Sequence, residues 1–109
     1  MKILFAALVM AVVSAPALGA DLAKGKQIAE SQCAACHGPD GNKPIDPSYP
    51  RLAGQYADYL GKALVDYQTG RRKNAIMAGM AKPLSKADIA NVTAYYASLP
   101  GVLSDKKPK

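Results

Sequence analysis

Cys33-Ala34-Ala35-Cys36-His37 constrains this chain more than any other stretch, because it sets two thiols three residues apart with an imidazole directly after the second. That order of groups is the attachment signature of a c-type haem. Each thiol can add across one haem vinyl group to give a thioether, and on the same helical turn His37 can reach the iron from one side of the ring. A fold carrying this motif has to wrap a large flat apolar group.

Other uses of two cysteines fit less well. A disulfide between Cys33 and Cys36 would close so short a loop that it removes little unfolded-state entropy, and it would leave His37 without a task. A thioredoxin-like dithiol needs a βαβ setting, and no alternating β-branched run is present. Structural zinc takes four Cys or His ligands, whereas the chain holds two cysteines and one histidine.

The N-terminus reads Met1-Lys2, then an apolar run from Ile3 to Val13, then Ser14-Ala15-Pro16-Ala17-Leu18-Gly19-Ala20. A charged start, a greasy middle and a small-residue end describe a secretory signal peptide. The run is shorter than the ~20 residues a membrane-spanning helix needs. Residues 1–20 are therefore expected to be a cleaved leader, cut before Ala20 or at the neighbouring Leu18 or Asp21, leaving residues 21–109 as one domain. No later apolar segment is long enough to span a bilayer, so the mature chain is expected to be soluble, with no stable membrane insertion.

A domain of this size makes a marginal core from side chains alone. There is no Trp, and Phe5, the single Phe, lies in the leader, so tyrosines and the macrocycle have to supply the aromatic packing. The formal net charge is +6, one unit of it from Lys2. A basic balance suits nucleic acid, an anionic membrane or an acidic protein partner. An exported chain without a stacking-module pattern points to acidic redox partners and away from nucleic acid. Arg71-Arg72-Lys73 is the densest basic cluster, readable as a docking patch or as a solvated loop.

The periodicity predicts three main helices. Asp21 can cap a first helix over residues 21–31, with Leu22, Ile28 and Ala29 as its apolar positions, running straight into the motif. Residues 38–50 are crowded with Gly, Pro, Asp and Asn and predict an irregular loop around the haem. Tyr56, Tyr59, Leu60, Ala63, Leu64 and Tyr67 recur at spacings of three and four, a second helix closed by Gly70. Ser85 and Asp88 resemble a capping box ahead of the stripe Ile89, Val92, Tyr96 and Leu99, which Pro100-Gly101 ends. The charged tail from Asp105 to Lys109 is expected to fray. No internal repeat or linker is visible.

Residues 73–83 read as a connection without helix caps that carries the methionines Met77 and Met80, 40 and 43 positions beyond His37. Since His37 is the only histidine, a thioether is the remaining natural donor for the opposite axial site, whose identity separates electron transfer from gas or substrate chemistry. Position alone leaves both methionines open, against the ordinary use of Met as a gap filler.

Taken with this motif, Gly25-Lys26, Pro50-Arg51-Leu52-Ala53-Gly54-Gln55, Tyr59-Leu60, Gly70-Arg71-Arg72, Met77, Leu84-Ser85, Asp88-Ile89-Ala90 and Ala94-Tyr95-Tyr96 make the chain resemble a small class I c-type cytochrome of the bacterial c553, c5 and c4 group. The resemblance covers essentially the whole mature chain. It implies an all-α cytochrome c fold, three main helices with irregular loops around one haem c held by Cys33 and Cys36 and ligated by His37. It also implies Met77 as the axial ligand, seven positions before Leu84, with Met80 as runner-up and packing residue. Pro50 matches a proline whose carbonyl accepts the proximal imidazole N–H, which fixes the tautomer. Gly25 and Tyr95 match a crossing of the first and last helices, and Arg51 matches a position that neutralises a propionate. One motif is present where cytochrome c4 proper has two, so a single haem is expected.

What the resemblance implies for function is a periplasmic, monomeric one-electron carrier between respiratory-chain redox partners, without catalysis. Met/His ligation raises the reduction potential and changes little between ferrous and ferric iron. The alternative is a haem c subunit bound permanently to a dehydrogenase or oxidase. A peroxidase or gas-binding protein needs an open iron site, which Met77 would close.

Overall fold

The computed structural model describes residues 19–105, all in helices, turns and loops with no strand among them. The expected leader lies outside the described residues apart from Gly19 and Ala20, and so does the end of the tail from residue 106. Asp21 opens α1 (Leu22–Ile28), its carboxylate accepting the Lys24 backbone N–H at 3.1 Å. The helix continues through a π-helical turn, Ala29–Cys33, into α2 (Ala34–His37). Periodicity does not reveal that wider turn, because it is a change in backbone pairing with no side-chain signature of its own.

The loop from Gly38 to Tyr56 is irregular, as its composition predicts, and is pinned by single backbone bonds such as Ile45 N–H to Cys36 O at 3.0 Å and Leu52 N–H to Gly41 O at 2.9 Å. The second predicted helix is α3 (Ala57–Thr69), ended by Gly70 in the left-handed region. The last is α5 (Lys86–Ser98), opened by the complete Ser85/Asp88 capping box, with both reciprocal bonds at 3.0 Å. A 3₁₀ turn, Val102–Asp105, follows.

Between them the structure corrects the expected loop. Residues Ala75–Ala81 form a fourth helix, α4, capped by Asn74, whose side-chain oxygen accepts the N–H groups of Ile76 at 3.1 Å and Met77 at 3.0 Å. Asn is among the strongest N-cap residues, and here it supplies the cap missing from the sequence reading. Gln68 of α3 secures the far end of α4, donating to Ala81 O at 2.8 Å and Leu84 O at 2.9 Å.

The core lies where α1 crosses α5 and α3 packs alongside, with Ala29, Leu60, Val92 and Tyr96 at its centre. Close approach is set by Gly25: a Cβ there would run into the Asn91 carbonyl and the Tyr95 Cβ. The crossing expected at Gly25 and Tyr95 is thus present. It is reinforced by Asp21 N–H donating to Asn91 Oδ1 at 2.8 Å. Leu22, expected on the apolar face, is instead 48% exposed, and the helix docks through Gly25, Ile28 and Ala29.

Candidate functional site

The π-helical turn and helix α2 that follows it bring Cys33, Cys36 and His37 to the lining of a cavity of about 1420 Å³. His37 is buried, and its Nδ1 lies 2.9 Å from Pro50 O. A carbonyl oxygen can only accept, so Nδ1 carries the proton and the Nε2 lone pair is left for a ligand bond. This is the Pro50 contact that the resemblance implies. The Tyr49 ring stands beside the imidazole at 6.3 Å between centroids.

Helix α3 contributes Tyr59, Leu60, Ala63, Leu64 and Tyr67 to the same cavity, so the stripe read as a helix face lines the site as well as the core. Helix α4 contributes Ile76, Met77 and Met80. Both candidate methionines therefore reach the site, Met77 half-buried and Met80 39% exposed. Asn74 fixes the Met77 end of the helix directly, since one of the capped amides is Met77's own.

Basic groups also line the cavity. Arg51, which the family resemblance places beside a propionate, lines the cavity and donates its Nε–H to Asn42 O at 3.0 Å. Arg72 and Lys43, which sequence reasoning did not connect with the site, join it. The Arg72 guanidinium lies 4.9 Å from the Tyr67 ring centroid, a cation–π contact that gives one member of the Arg71-Arg72-Lys73 cluster a defined place.

Tyr96 is the other residue whose role the sequence did not show. Its ring packs over Gly41, where a Cβ would lie 2.8 Å from Cε1; the positive φ of Gly41, 74°, also favours glycine. Its hydroxyl oxygen is buried with no hydrogen-bond partner of good geometry among the described residues. The Cys33 thiol is near enough for each group to perturb the other. Burial pushes the Cys33 thiol pKa up, partly offset by the Tyr96 hydroxyl. Burial, then the Cys33 charge, pushes the Tyr96 phenol far up.

These features fit the group that the motif calls for. The cavity exceeds the ~300–1,000 Å³ of ordinary small-ligand pockets. Two thiols and an imidazole line it, and thioethers come from a separate helix. No helix among the described residues is long and apolar enough to cross a membrane, and no group of three or more His, Cys, Asp or Glu among them could hold a metal ion without such a cofactor.

The sequence pattern of the family described as Cytochrome c matches residues 22–100. Cytochrome c4 of Thiocapsa roseopersicina is 42% identical over 87 residues, covering 80% of this chain and 44% of that protein. Cytochrome c-554(548) of Halomonas halodenitrificans is 48% identical over 69 residues, covering 61% of this chain and 82% of that protein. The thiosulfate dehydrogenase electron acceptor of Thiomonas intermedia is 45% identical over 69 residues, covering 63% of this chain and 32% of that protein. The solved structure of reduced recombinant cytochrome c4 from Pseudomonas stutzeri matches with a TM-score of 0.68 at 31% identity, covering 75% of this chain and 51% of that one. The chain spans about half or less of the length of the cytochrome c4 and electron-acceptor relatives named here.

Proposed function

Since the chain belongs to the cytochrome c family, we propose that it is a one-electron carrier holding a single haem c, exported to the periplasm after loss of residues 1–20. The observation that carries this reading is the shared cavity: both thiols of the Cys-x-x-Cys-His motif line it with a buried, oriented His37 and a half-buried Met77.

When bound, the haem supplies a one-electron Fe(II)/Fe(III) couple. Cys33 and Cys36 would tether it covalently, and His37 Nε2 would be an iron donor. Pro50 O holds the imidazole in the correct tautomer and raises its basicity. Met77 would be the second iron donor, its thioether favouring the ferrous state. The apolar side chains of α3 exclude water, which penalises the extra positive charge of the ferric state. Arg51, Arg72 and Lys43, which all line the cavity, would offset propionate charge. No residue is assigned to catalysis.

Partners are redox proteins. The basic balance of the chain favours acidic docking surfaces and brief encounters by a monomer. The resemblance to the Thiomonas electron acceptor supports a second reading, in which the domain serves as the haem c subunit of a dehydrogenase. Co-purification at native expression separates the two: a carrier elutes alone, a subunit with its enzyme.

The reading as a whole is tested by a pyridine haemochrome spectrum and intact mass of protein from cells with a working cytochrome maturation apparatus. One covalent haem on a chain beginning near Asp21 is expected. A colourless protein would overturn the assignment.

A further inference from the structure

Gln68 stands in the last turn of α3, and its carboxamide reaches across to the segment that carries the methionines. Nε2 donates to Ala81 O at 2.8 Å and to Leu84 O at 2.9 Å. Carbonyl oxygens can only accept, so these two partners require two donors on one atom. Glutamine supplies them without bringing a charge into a half-buried place. Ala81 O is doubly engaged, since it also takes the Leu84 backbone N–H at 3.0 Å. The last carbonyls of a helix have no partner within it, and Pro83 has no N–H to offer them. Gln68 therefore closes the C-terminal end of α4 from outside.

A helix of seven residues does not hold itself in water. Helix α4 is fixed at both ends, by Asn74 at the amides of Ile76 and Met77 and by Gln68 at Ala81 and Leu84. Ala81 follows Met77 by four residues, so the two share one helix face. Ala81 is fully buried, and Met77 lines the cavity. Gln68 itself stands outside the cavity lining, so its influence on the site passes through α4.

We propose that Gln68 is a positioning residue for the axial ligand: its carboxamide latches α4 to α3 and so sets how firmly Met77 is kept at the iron. The proposal rests on the haem reading above and on Met77 as a donor. A thioether on so short an element stays in place only while the element does.

The test compares holoprotein of the wild type with Gln68→Glu. The substitution keeps the shape of the side chain. Protonated, the carboxyl offers one O–H donor; ionised, it offers none and sets its oxygens against two carbonyls. The weak far-red absorption of the ferric variant should fade as pH rises through that titration and return on acidification, with no such step in the wild type. Once the carboxyl is ionised, the ferrous variant should bind carbon monoxide about tenfold more readily than the wild type, the scale of one or two lost hydrogen bonds. Asp66 in its ion pair with Lys62 at 2.7 Å, Tyr67 beside Arg72, and the exposed Lys82 are common to both proteins and cancel in the comparison.

A second measurement needs no variant to fold. In a urea titration of the ferric wild type, NMR protection of the Gln68 side-chain amide and the far-red band should disappear together. A variant that keeps band and carbon monoxide resistance at every pH, a variant that loses the band without recovery in acid, or a wild-type band that outlasts the Gln68 amide overturns the inference. Haem content of the same samples separates these failures from failure of the haem reading, which would leave the wild type itself colourless.

Discussion

Gly25 packs against Asn91 with no room for even one methyl group, since a Cβ would overlap the Asn91 carbonyl. The obstacle is backbone, which cannot rotate aside as a side chain would. Gly25→Ala should therefore cost at least the ~1–3 kcal/mol typical of overpacking, read as a lower denaturant midpoint of the holoprotein with little change in slope.

The two methionines make opposite predictions. Met77→Ala should remove the weak far-red absorption of the ferric protein that reports sulfur bound to iron, and should let the ferrous form take up carbon monoxide at neutral pH. Met80→Ala should preserve the band and the resistance to carbon monoxide. The reverse pattern would transfer the ligand role to Met80.

Cys36→Ala should leave haem attached through Cys33 alone. One vinyl group is then unsaturated, so the pyridine haemochrome maximum should move to longer wavelength while part of the colour survives acid extraction with the protein. Unchanged spectra would show that Cys36 forms no thioether.

Asn74 caps α4 through the amides of Ile76 and Met77. Asn74→Ala should cost about 1 kcal/mol, in the range for lost N-caps, and should weaken the far-red band because the frayed turn is the one that carries Met77. Asn74→Asp keeps an accepting oxygen and should restore most of both.

Tyr96 also gives a pH dependence with a definite sign. Its folded pKa is raised above the ordinary phenol value of 10.0, so above that pH the unfolded chain loses a proton that the folded chain keeps. Stability from this group is full below pH 10 and declines as pH rises beyond it. Equilibrium unfolding from pH 9 to 11 should show that decline, and Tyr96→Phe should flatten it.

Much of this architecture was legible because single residues announced it. Asp21, Gly70 and the Ser85/Asp88 pair mark helix ends by local chemistry, and the Cys33–His37 motif carries its own chemical logic. Helix α4 was missed because seven residues are too few to display a period and Gly79 dilutes the pattern, although Asn74 was a usable signal. Leu22 was misplaced because an apolar side chain at a helix start does not say whether a partner will cover it. The choice of Met77 came from family likeness, since both methionines reach the cavity. The burial of Tyr96 depends on packing against Gly41, which is distant along the chain, and no local pattern records it.

The π-helical turn at Ala29–Cys33 acts as a phase dislocation. Each residue of an α-helix advances the side-chain direction by about 100°, so a widened turn shifts the angular register of everything after it. Leu22–Ile28 can thus be tuned for its mate α5 while Ala34–His37 keeps an independent aim at the cofactor. Shortening Ala29–Cys33 by one residue would leave both stretches helical but rotate the reactive trio off target, a defect visible in maturation yield before it is visible in helix content.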